Sequence, residues 1–68
     1  MKGYGKRLRE LRGEKSISEV AAALNASPSS ISMYESEERA PRDDIKEKLA
    51  KYYGTTVGAL FFEENVTN

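Results

Sequence analysis

Apolar side chains recur at helical spacing in five short stretches of the chain. In the first stretch, Tyr4, Leu8 and Leu11 follow one another at intervals of four and three residues, which places them on one face of a helix. The other stretches carry the sets Ile17, Val20, Ala21 and Leu24; Ile31 and Tyr34; Ile45, Leu49 and Tyr52; and Val57, Leu60 and Phe61. The alternating pattern of a half-buried strand does not occur. The sequence therefore predicts five short helices.

Residues that favour helix ends lie between these stretches. Ser16 and Glu19 have the spacing of a capping box, in which each side chain satisfies a backbone donor of the other residue. Ser27 followed by Pro28 is typical of a helix start. Asn25 tolerates the left-handed conformation that a sharp turn requires. The other boundaries are indicated by Gly13, by Pro41 as the start of the fourth helix, by Gly54, and by Thr55 or Thr56 as the cap of the fifth.

The third predicted helix has an outer face without charge or bulk. Residues in a helix turn by about 100° each, so one set of side chains points away from the core positions Ile31 and Tyr34. That set consists of Ser29, Ser32, Met33 and Ser36, with Pro28 at the edge. Serine is a mediocre helix former, so its repeated use indicates a surface role. Two alternatives stay open, a solvated face for the serines and a place under the fourth helix for Met33.

Composition limits the classes of protein that this chain can be. Its 68 residues suit one domain with a small core, and they include no cysteine and no histidine. Disulfides, thiolate chemistry and the usual general base are therefore missing. No apolar run approaches the ~20 residues of a membrane span, and the start lacks the apolar region of a secretory signal. We expect a cytoplasmic protein that is not an enzyme and has no metal or cofactor, with a domain over residues 1–62 and a flexible tail at 63–68.

The net charge is zero, but the charges are unevenly distributed. Residues 1–15 carry six basic side chains and two acidic ones. Residues 35–44 carry five acidic side chains against Arg39 and Arg42. A local field can steer a charged ligand even when the total charge vanishes. The alternative interpretation is a solvated surface of mixed charge.

Five segments of the chain, taken together, resemble a known family. They are KRLRELR, SEVAAALNAS, SSISMYE, RAPRDDIKEKLAKYYG and TTVGALFF, and they lie in this order between Gly3 and Phe62. Ala21, Asn25 and Ile31 stand where Cro/repressor-type helix-turn-helix domains, the lambda-repressor-like or XRE family, have a small residue, a turn residue and a buried branched residue. The chain is also similar to small regulators of Gram-positive bacteria and their phages. The resemblance implies an all-α fold, a compact bundle of five short helices with a helix-turn-helix.

The same resemblance implies a sequence-specific DNA-binding transcriptional regulator, a repressor, whose third helix enters the major groove as part of a two-fold dimer. It also implies an ion pair between Arg12 and Glu35; the alternative for Glu35 is a solvated surface acid. Base readout is expected from Pro28, Ser29, Ser30, Ser32 and Met33. Contacts to the DNA backbone are expected from Ser16, Ile17, Ser18 and Ser27 at the helix N-termini, and from Arg39 and Arg42.

The expected partners are a double-stranded DNA operator and a second copy of the chain, with no membrane and no small-molecule ligand. Phe61 and Phe62 suggest the apolar contact between subunits, with one of the two in the core. For Arg42 the alternative is a helix-start residue that pairs with Asp43 or Glu38. We expect a protein of a bacterium or a phage that is located in the bacterial cytoplasm and associates with the nucleoid.

Three departures from the family pattern change the expected binding. The junction between the first two helices is about two residues shorter than usual and lacks a leucine. Ile17 stands where the family often has glutamine, and we interpret it as replacing that leucine in the core; an apolar contact with DNA is the alternative. Glu37 and Glu38 stand where a glycine and a basic residue are common, and we expect these acids to approach the DNA phosphates and weaken binding.

A protein-binding adaptor or antitoxin-like module is the main rival function. Zero net charge and the acids after the third helix suit that role better than DNA binding. An enzyme is disfavoured, because the serines lack a histidine partner and the sequence contains no glycine-rich phosphate loop or metal-binding cluster.

Overall fold

The structure is a computed structural model that describes residues 3–62. Within that range it contains five helices and no strand: α1 (Tyr4–Arg12), α2 (Ile17–Ala23), α3 (Pro28–Ser36), α4 (Asp43–Tyr53) and α5 (Val57–Phe61). The prediction of an all-α bundle of five helices is confirmed. The predicted flexible tail at 63–68 lies outside the described residues.

Local capping explains where these helices begin. The side chains of Ser16, Ser27 and Thr56 each accept a hydrogen bond from a backbone N–H three residues later. These bonds satisfy donors that the first turn of a helix leaves unpaired. Thr56, rather than Thr55, therefore caps α5. Pro41 does not start α4; it is buried in the preceding loop, and Arg42 is the residue that flanks the helix.

The core is a single cluster to which all five helices contribute. Its fully buried large side chains are Leu8, Val20, Leu49, Leu60 and Phe61. Ile17, Ile45, Tyr52 and Val57 pack against it while partly exposed. Within residues 3–62, every helix is too short or too polar to span a bilayer.

Leu11 departs from the predicted apolar face of α1. Its side chain is 41% exposed, whereas Tyr4 and Leu8 on the same helix are buried. Leu11 lines a shallow surface hollow with Ala59 and Leu60 of α5. Leu11 thus lies on the predicted face of α1, but the α5 residues beside it leave a hollow and do not bury its side chain.

Candidate nucleic-acid interface

The turn between α2 and α3 is tight because a small residue and a left-handed residue stand at the required places. Asn25 adopts a φ of 56°, which is uncommon for a residue with a side chain but tolerated by asparagine. The N–H of Ala26 then donates to the carbonyl oxygen of Ala21 at 2.8 Å. Ala21 is buried, so a larger side chain there would push α3 away from α2. The turn therefore determines the angle at which α3 leaves α2.

α3 divides into a buried face and a solvent face. Ile31 and Tyr34 lie in the core. The exposed positions on the other side include Pro28, Ser29, Ser32 and Ser36, while Ser30 and Met33 are half-buried. The solvent face carries no formal charge and few atoms beyond the backbone, so another macromolecule can approach the helix closely.

Two of the serines near this face serve the helix itself. Ser27 Oγ accepts from the N–H of Ser30 at 3.1 Å and lies 3.0 Å from Ser30 Oγ, to which it donates. Ser36 Oγ donates to the carbonyl oxygen of Met33 at 3.2 Å. The exposed hydroxyls of Ser29 and Ser32 have no hydrogen bond among the described residues. These two side chains are therefore available for contacts outside the chain.

Three of the predicted phosphate contacts, Ser16, Ile17 and Ser18, lie at the N-terminus of α2. Ser16 Oγ accepts from the N–H of Glu19 at 3.0 Å, which is one half of the predicted capping box. Ser16 and Ser18 are exposed. Ile17 is half-buried and packs against the core. That position agrees with the interpretation of Ile17 as a replacement for the missing leucine of the junction.

The C-terminal end of α3 is held by two arginines of α1. Arg12 Nε donates to Glu35 Oε2 at 2.6 Å, and Arg12 Nη2 donates to Glu35 Oε1 at 3.0 Å. Arg9 Nη2 donates to the carbonyl oxygen of Glu35 at 3.3 Å. The forked geometry matches the two oxygens of a carboxylate. Glu35 is only 6% exposed, so this pairing compensates for burial of its charge.

Electrostatic effects of this pair reach neighbouring groups. Hydrogen bonding to Glu35 raises the pKa of Arg12 above its ordinary value. Burial, followed by the negative charge of Glu35, raises the pKa of Tyr53 to about 12. Glu35 at the end of α3 thus influences the pKa values of both Arg12 in α1 and Tyr53 at the end of α4. Burial acts in the opposite direction on the pKa of Arg12 but is outweighed by Glu35, so Arg12 keeps its charge at neutral pH.

α1 approaches α3 so closely at Gly5 that no side chain fits. A Cβ atom built at Gly5 would lie 2.2 Å from the carbonyl oxygen of Glu35 and 2.9 Å from Glu37 Cγ. No local pattern marks Gly5 as important, because it lies inside a helix and neither ends it nor needs a positive φ. Its significance depends on a partner 30 residues away in the chain.

The structure changes the expected role of Glu37. Its carboxylate does not extend freely toward a ligand: Oε2 accepts from the N–H of Gly3 at 2.9 Å and from the N–H of Gly5 at 3.0 Å. The acid thus caps the N-terminus of α1, where the helix dipole favours negative charge. Glu38 is exposed, and its N–H donates to the carbonyl oxygen of Met33 at 3.0 Å.

Arg39 and Arg42, the predicted phosphate contacts of the loop, are both exposed. The backbone of Arg39 is held on one side by α1, since Tyr4 Oη donates to its carbonyl oxygen at 3.3 Å. Arg42 flanks α4 without a capping hydrogen bond from its side chain. The alternative interpretation, in which Arg42 pairs with Asp43 or Glu38, finds no such ion pair among the described residues, where Asp43 Oδ1 lies 3.6 Å from Lys46 Nζ.

The two phenylalanines at the end of α5 have different environments. Phe61 is fully buried, and its ring centroid lies 5.5 Å from that of Tyr4. Phe62 is 51% exposed, with Lys46 Nζ at 5.1 Å from its ring centroid. Phe61 therefore belongs to the core, and Phe62 offers apolar surface at the end of the bundle.

Within residues 3–62, no group of acidic, histidine or cysteine side chains is arranged to hold a metal ion.

The chain belongs to the helix-turn-helix family, in its lambda-repressor-like (XRE) form. The family's sequence model matches residues 6–60, which include α2, α3 and their turn. No curated protein and no solved structure matches the chain. The family consists of DNA-binding regulators and is not typically enzymatic, so this chain is a DNA-binding helix-turn-helix regulator in that general sense.

Proposed function

We propose that this protein is a sequence-specific transcriptional repressor that inserts α3 into the major groove of a double-stranded DNA operator. The observation that carries the proposal is the solvent face of α3, which is uncharged and exposed on a helix that Ser27 caps at its N-terminus and that α1 fastens at its C-terminal end. A helix held in this way can enter a groove about 12 Å wide without reorganising. The protein, encoded by a bacterium or a phage, would act in the bacterial cytoplasm.

Base readout is assigned to Ser29, Ser32 and Met33, with Pro28 and Ser30 at the flanks. A serine hydroxyl can donate or accept, so each serine discriminates weakly between bases. Met33 can pack against the methyl group of a thymine. The solvent face carries no arginine, asparagine or glutamine for a bidentate contact with a base. Specificity then depends on apolar contacts, bridging water and the shape of the DNA.

Positioning on the DNA backbone is assigned to two groups of residues. Ser16, Ile17, Ser18 and Ser27 lie at the N-termini of α2 and α3, where free N–H groups and the helix dipole favour a phosphate. Ile17 contributes its backbone N–H, since its side chain packs against the core. Arg39 and Arg42 supply the charged contacts from the loop after α3.

A two-fold dimer is the proposed binding form. One subunit offers few phosphate contacts, so its affinity for DNA is expected to be modest. Two subunits would reach half-sites about 34 Å apart, one helical turn of DNA. Phe62 supports this proposal, because half of its side chain is exposed at the end of α5.

The test begins with selection of bound sequences from random DNA by the purified protein. The proposal predicts an enriched, two-fold symmetric sequence. The triple variant Ser29→Ala, Ser32→Ala, Met33→Ala should then lose affinity for that operator while keeping its helical circular dichroism. The matched control is Lys48→Ala with Lys51→Ala, which removes two exposed positive charges of α4 outside the assigned face. Equal losses in both variants would contradict readout by α3.

The dependence of affinity on salt tests the phosphate contacts. If a dimer neutralises about six phosphates, the logarithm of operator affinity should fall with the logarithm of salt concentration at a slope of about −5. A flat dependence would contradict DNA binding.

A protein-binding adaptor or antitoxin-like module is the second candidate, and the net charge of zero favours it. This function predicts that selection from random DNA enriches no sequence. It also predicts a stoichiometric complex with the product of a neighbouring gene, which size-exclusion chromatography of the co-expressed pair would detect.

A further inference from the structure

We propose that Tyr4 and Glu37 are positioning residues, which hold the loop after α3 so that Arg39 meets a DNA phosphate. The inference rests on the proposed function, because it assigns a task to side chains that themselves touch no DNA. The sequence predicts that Glu37 weakens operator binding, whereas the positioning role predicts the opposite: removal of this acid should weaken operator binding rather than strengthen it.

The first observation is the place of the Glu37 carboxylate. Oε2 accepts two hydrogen bonds, from the N–H of Gly3 at 2.9 Å and from the N–H of Gly5 at 3.0 Å. Both donors belong to the start of α1 and would otherwise lack a partner within the helix. Charge-assisted bonds of this kind are among the stronger hydrogen bonds in proteins. The residue that ends α3 is therefore anchored to α1.

The second observation is the backbone of Glu37. It ends α3 in the left-handed conformation, with a φ of 63°. Glycine is the usual residue at this position because a Cβ atom disfavours the conformation. Glutamate is present in spite of that cost, and what its side chain adds is the contact with α1. The absence of a side chain at Gly5 leaves room for it, since a Cβ there would lie 2.9 Å from Glu37 Cγ.

The third observation is that Arg39 is held from two sides. Its N–H donates to the carbonyl oxygen of Met33 at 3.4 Å, and its carbonyl oxygen accepts from Tyr4 Oη at 3.3 Å. Burial, and then the charge of Glu37, raises the pKa of Tyr4, so this hydroxyl remains a donor at neutral pH. The Arg39 side chain is exposed while its backbone is tied to both α3 and α1. A held backbone reduces the entropy that Arg39 loses when it binds a phosphate.

The experiment uses the operator obtained by selection and measures its affinity at several salt concentrations. Arg39→Ala should reduce affinity on the order of tenfold and make the slope shallower by about 2, since a dimer loses two phosphate contacts. Glu37→Gly and Tyr4→Phe should each produce a part of that loss. The Phe variant keeps the ring that packs against Phe61. Glu37→Gln retains one acceptor oxygen and should keep more affinity than Glu37→Gly.

The decisive readout is coupling with Arg39. If Glu37 acts through Arg39, the double variant Glu37→Gly, Arg39→Ala should bind no more weakly than Arg39→Ala alone. Losses that add in full would overturn the proposal. Tighter or unchanged binding by Glu37→Gly would overturn it as well, because that is the result expected of a repelling acid. Thermal unfolding of each variant separates loss of the fold from loss of positioning.

Glu38→Gln is the matched control. It removes the adjacent acid, which is exposed and has no side-chain hydrogen bond or ion pair among the described residues. Its affinity should rise or stay the same, opposite to the change at Glu37; a loss equal to that of Glu37→Gly would contradict the proposal.

Two further measurements separate this inference from the proposed function. The amide NMR signals of Gly3 and Gly5 should shift in Glu37→Gln without any DNA present; unchanged signals would overturn the positioning contact alone. If Arg39→Ala binds the operator normally while the triple variant of α3 does not, the proposed function stands and the positioning role of Tyr4 and Glu37 is wrong.

Discussion

The two ends of α3 are held by different kinds of interaction. At the N-terminal end, Ser27 caps the helix with its own hydroxyl, and the next residues remain open to solvent. At the C-terminal end, Arg9 and Arg12 of α1 bind Glu35, and Gly5 permits direct contact between the backbones. A small domain can thus expose one end of a helix by forming that end with local sequence and fastening the other end with tertiary contacts.

The two kinds of interaction also differ in energy. A cap such as Ser27 contributes ~1 kcal/mol, and its loss leaves the surrounding packing intact. A buried charge such as Glu35 costs several times more when it loses its partner, because nothing replaces the water it gave up. Substitutions at the C-terminal end are therefore expected to destabilise the protein more than substitutions at the N-terminal end.

Gly5→Ala should destabilise the fold most. Its Cβ would lie 2.2 Å from the Glu35 carbonyl oxygen, a backbone atom that cannot turn aside, so α1 and α3 must separate. We expect a loss of about 3 kcal/mol in the free energy of unfolding, at the upper end for overpacked sites. Urea unfolding followed by circular dichroism measures it. Lys6→Ala, an exposed change one residue along α1, is the control and should stay within about 0.5 kcal/mol.

Arg12→Ala should cost about 2–3 kcal/mol, between the values for surface pairs and fully buried pairs. The Arg12 side chain is 18% exposed and that of Glu35 only 6%, so the carboxylate is left buried without its forked partner. Arg12→Lys should recover only part of the loss, because an ammonium group cannot donate to both oxygens in the same geometry. Full recovery by lysine, measured by thermal unfolding, would show that charge alone matters here.

Ser27→Ala should cost about 1 kcal/mol, since the N–H of Ser30 loses its side-chain acceptor and keeps only the carbonyl oxygen of residue 27. Ser29→Ala is the matched control two residues along the same helix. Ser29 is exposed, and alanine is the better helix former, so stability should be unchanged or slightly higher. Operator affinity should fall for Ser29→Ala all the same. A stability loss at Ser29 as large as that at Ser27 would mean that Ser29 serves the fold rather than readout.

Ionisation of Tyr53 should change stability only in alkaline solution, so at neutral pH its effect is the smallest of the four. Its pKa is raised to about 12 in the folded protein, while an unfolded tyrosine ionises near pH 10. Between these values the unfolded chain has released a proton that the folded chain retains, so stability falls as pH rises from about 10 to 12. Tyr53→Phe should remove this part of the decline. An identical pH profile of unfolding in both proteins would contradict it.

The helices and their ends could be predicted from the sequence because their causes are local. Spacing of apolar residues marks one face of each helix, and the caps at Ser16, Ser27 and Thr56 act over three residues. Asn25 is equally local: its own side chain makes the left-handed turn acceptable. The resemblance to the helix-turn-helix family rested on the same ordered set of positions, and the family match over residues 6–60 agrees with it.

The roles of Leu11, Gly5 and Glu37 could not be predicted, because each depends on a partner distant in the chain. Leu11 has helical spacing, yet α5 leaves a hollow beside it and does not bury it. Gly5 resembles any tolerated helical glycine until α3 lies against it. Glu37 carries the charge of a residue that repels DNA, but its carboxylate binds N–H groups 32 and 34 residues away.

The amino-acid sequence was thus enough to predict which helices form, where most of them end, and which face of α3 remains uncharged. How the end of α3 is fastened, and what Glu37 does there, became visible only in the packed domain. The two sets of features differ in the range of the interactions that cause them. Periodicity and caps act within one or two turns of a helix, whereas the partner of a charge is chosen by the packing of whole helices.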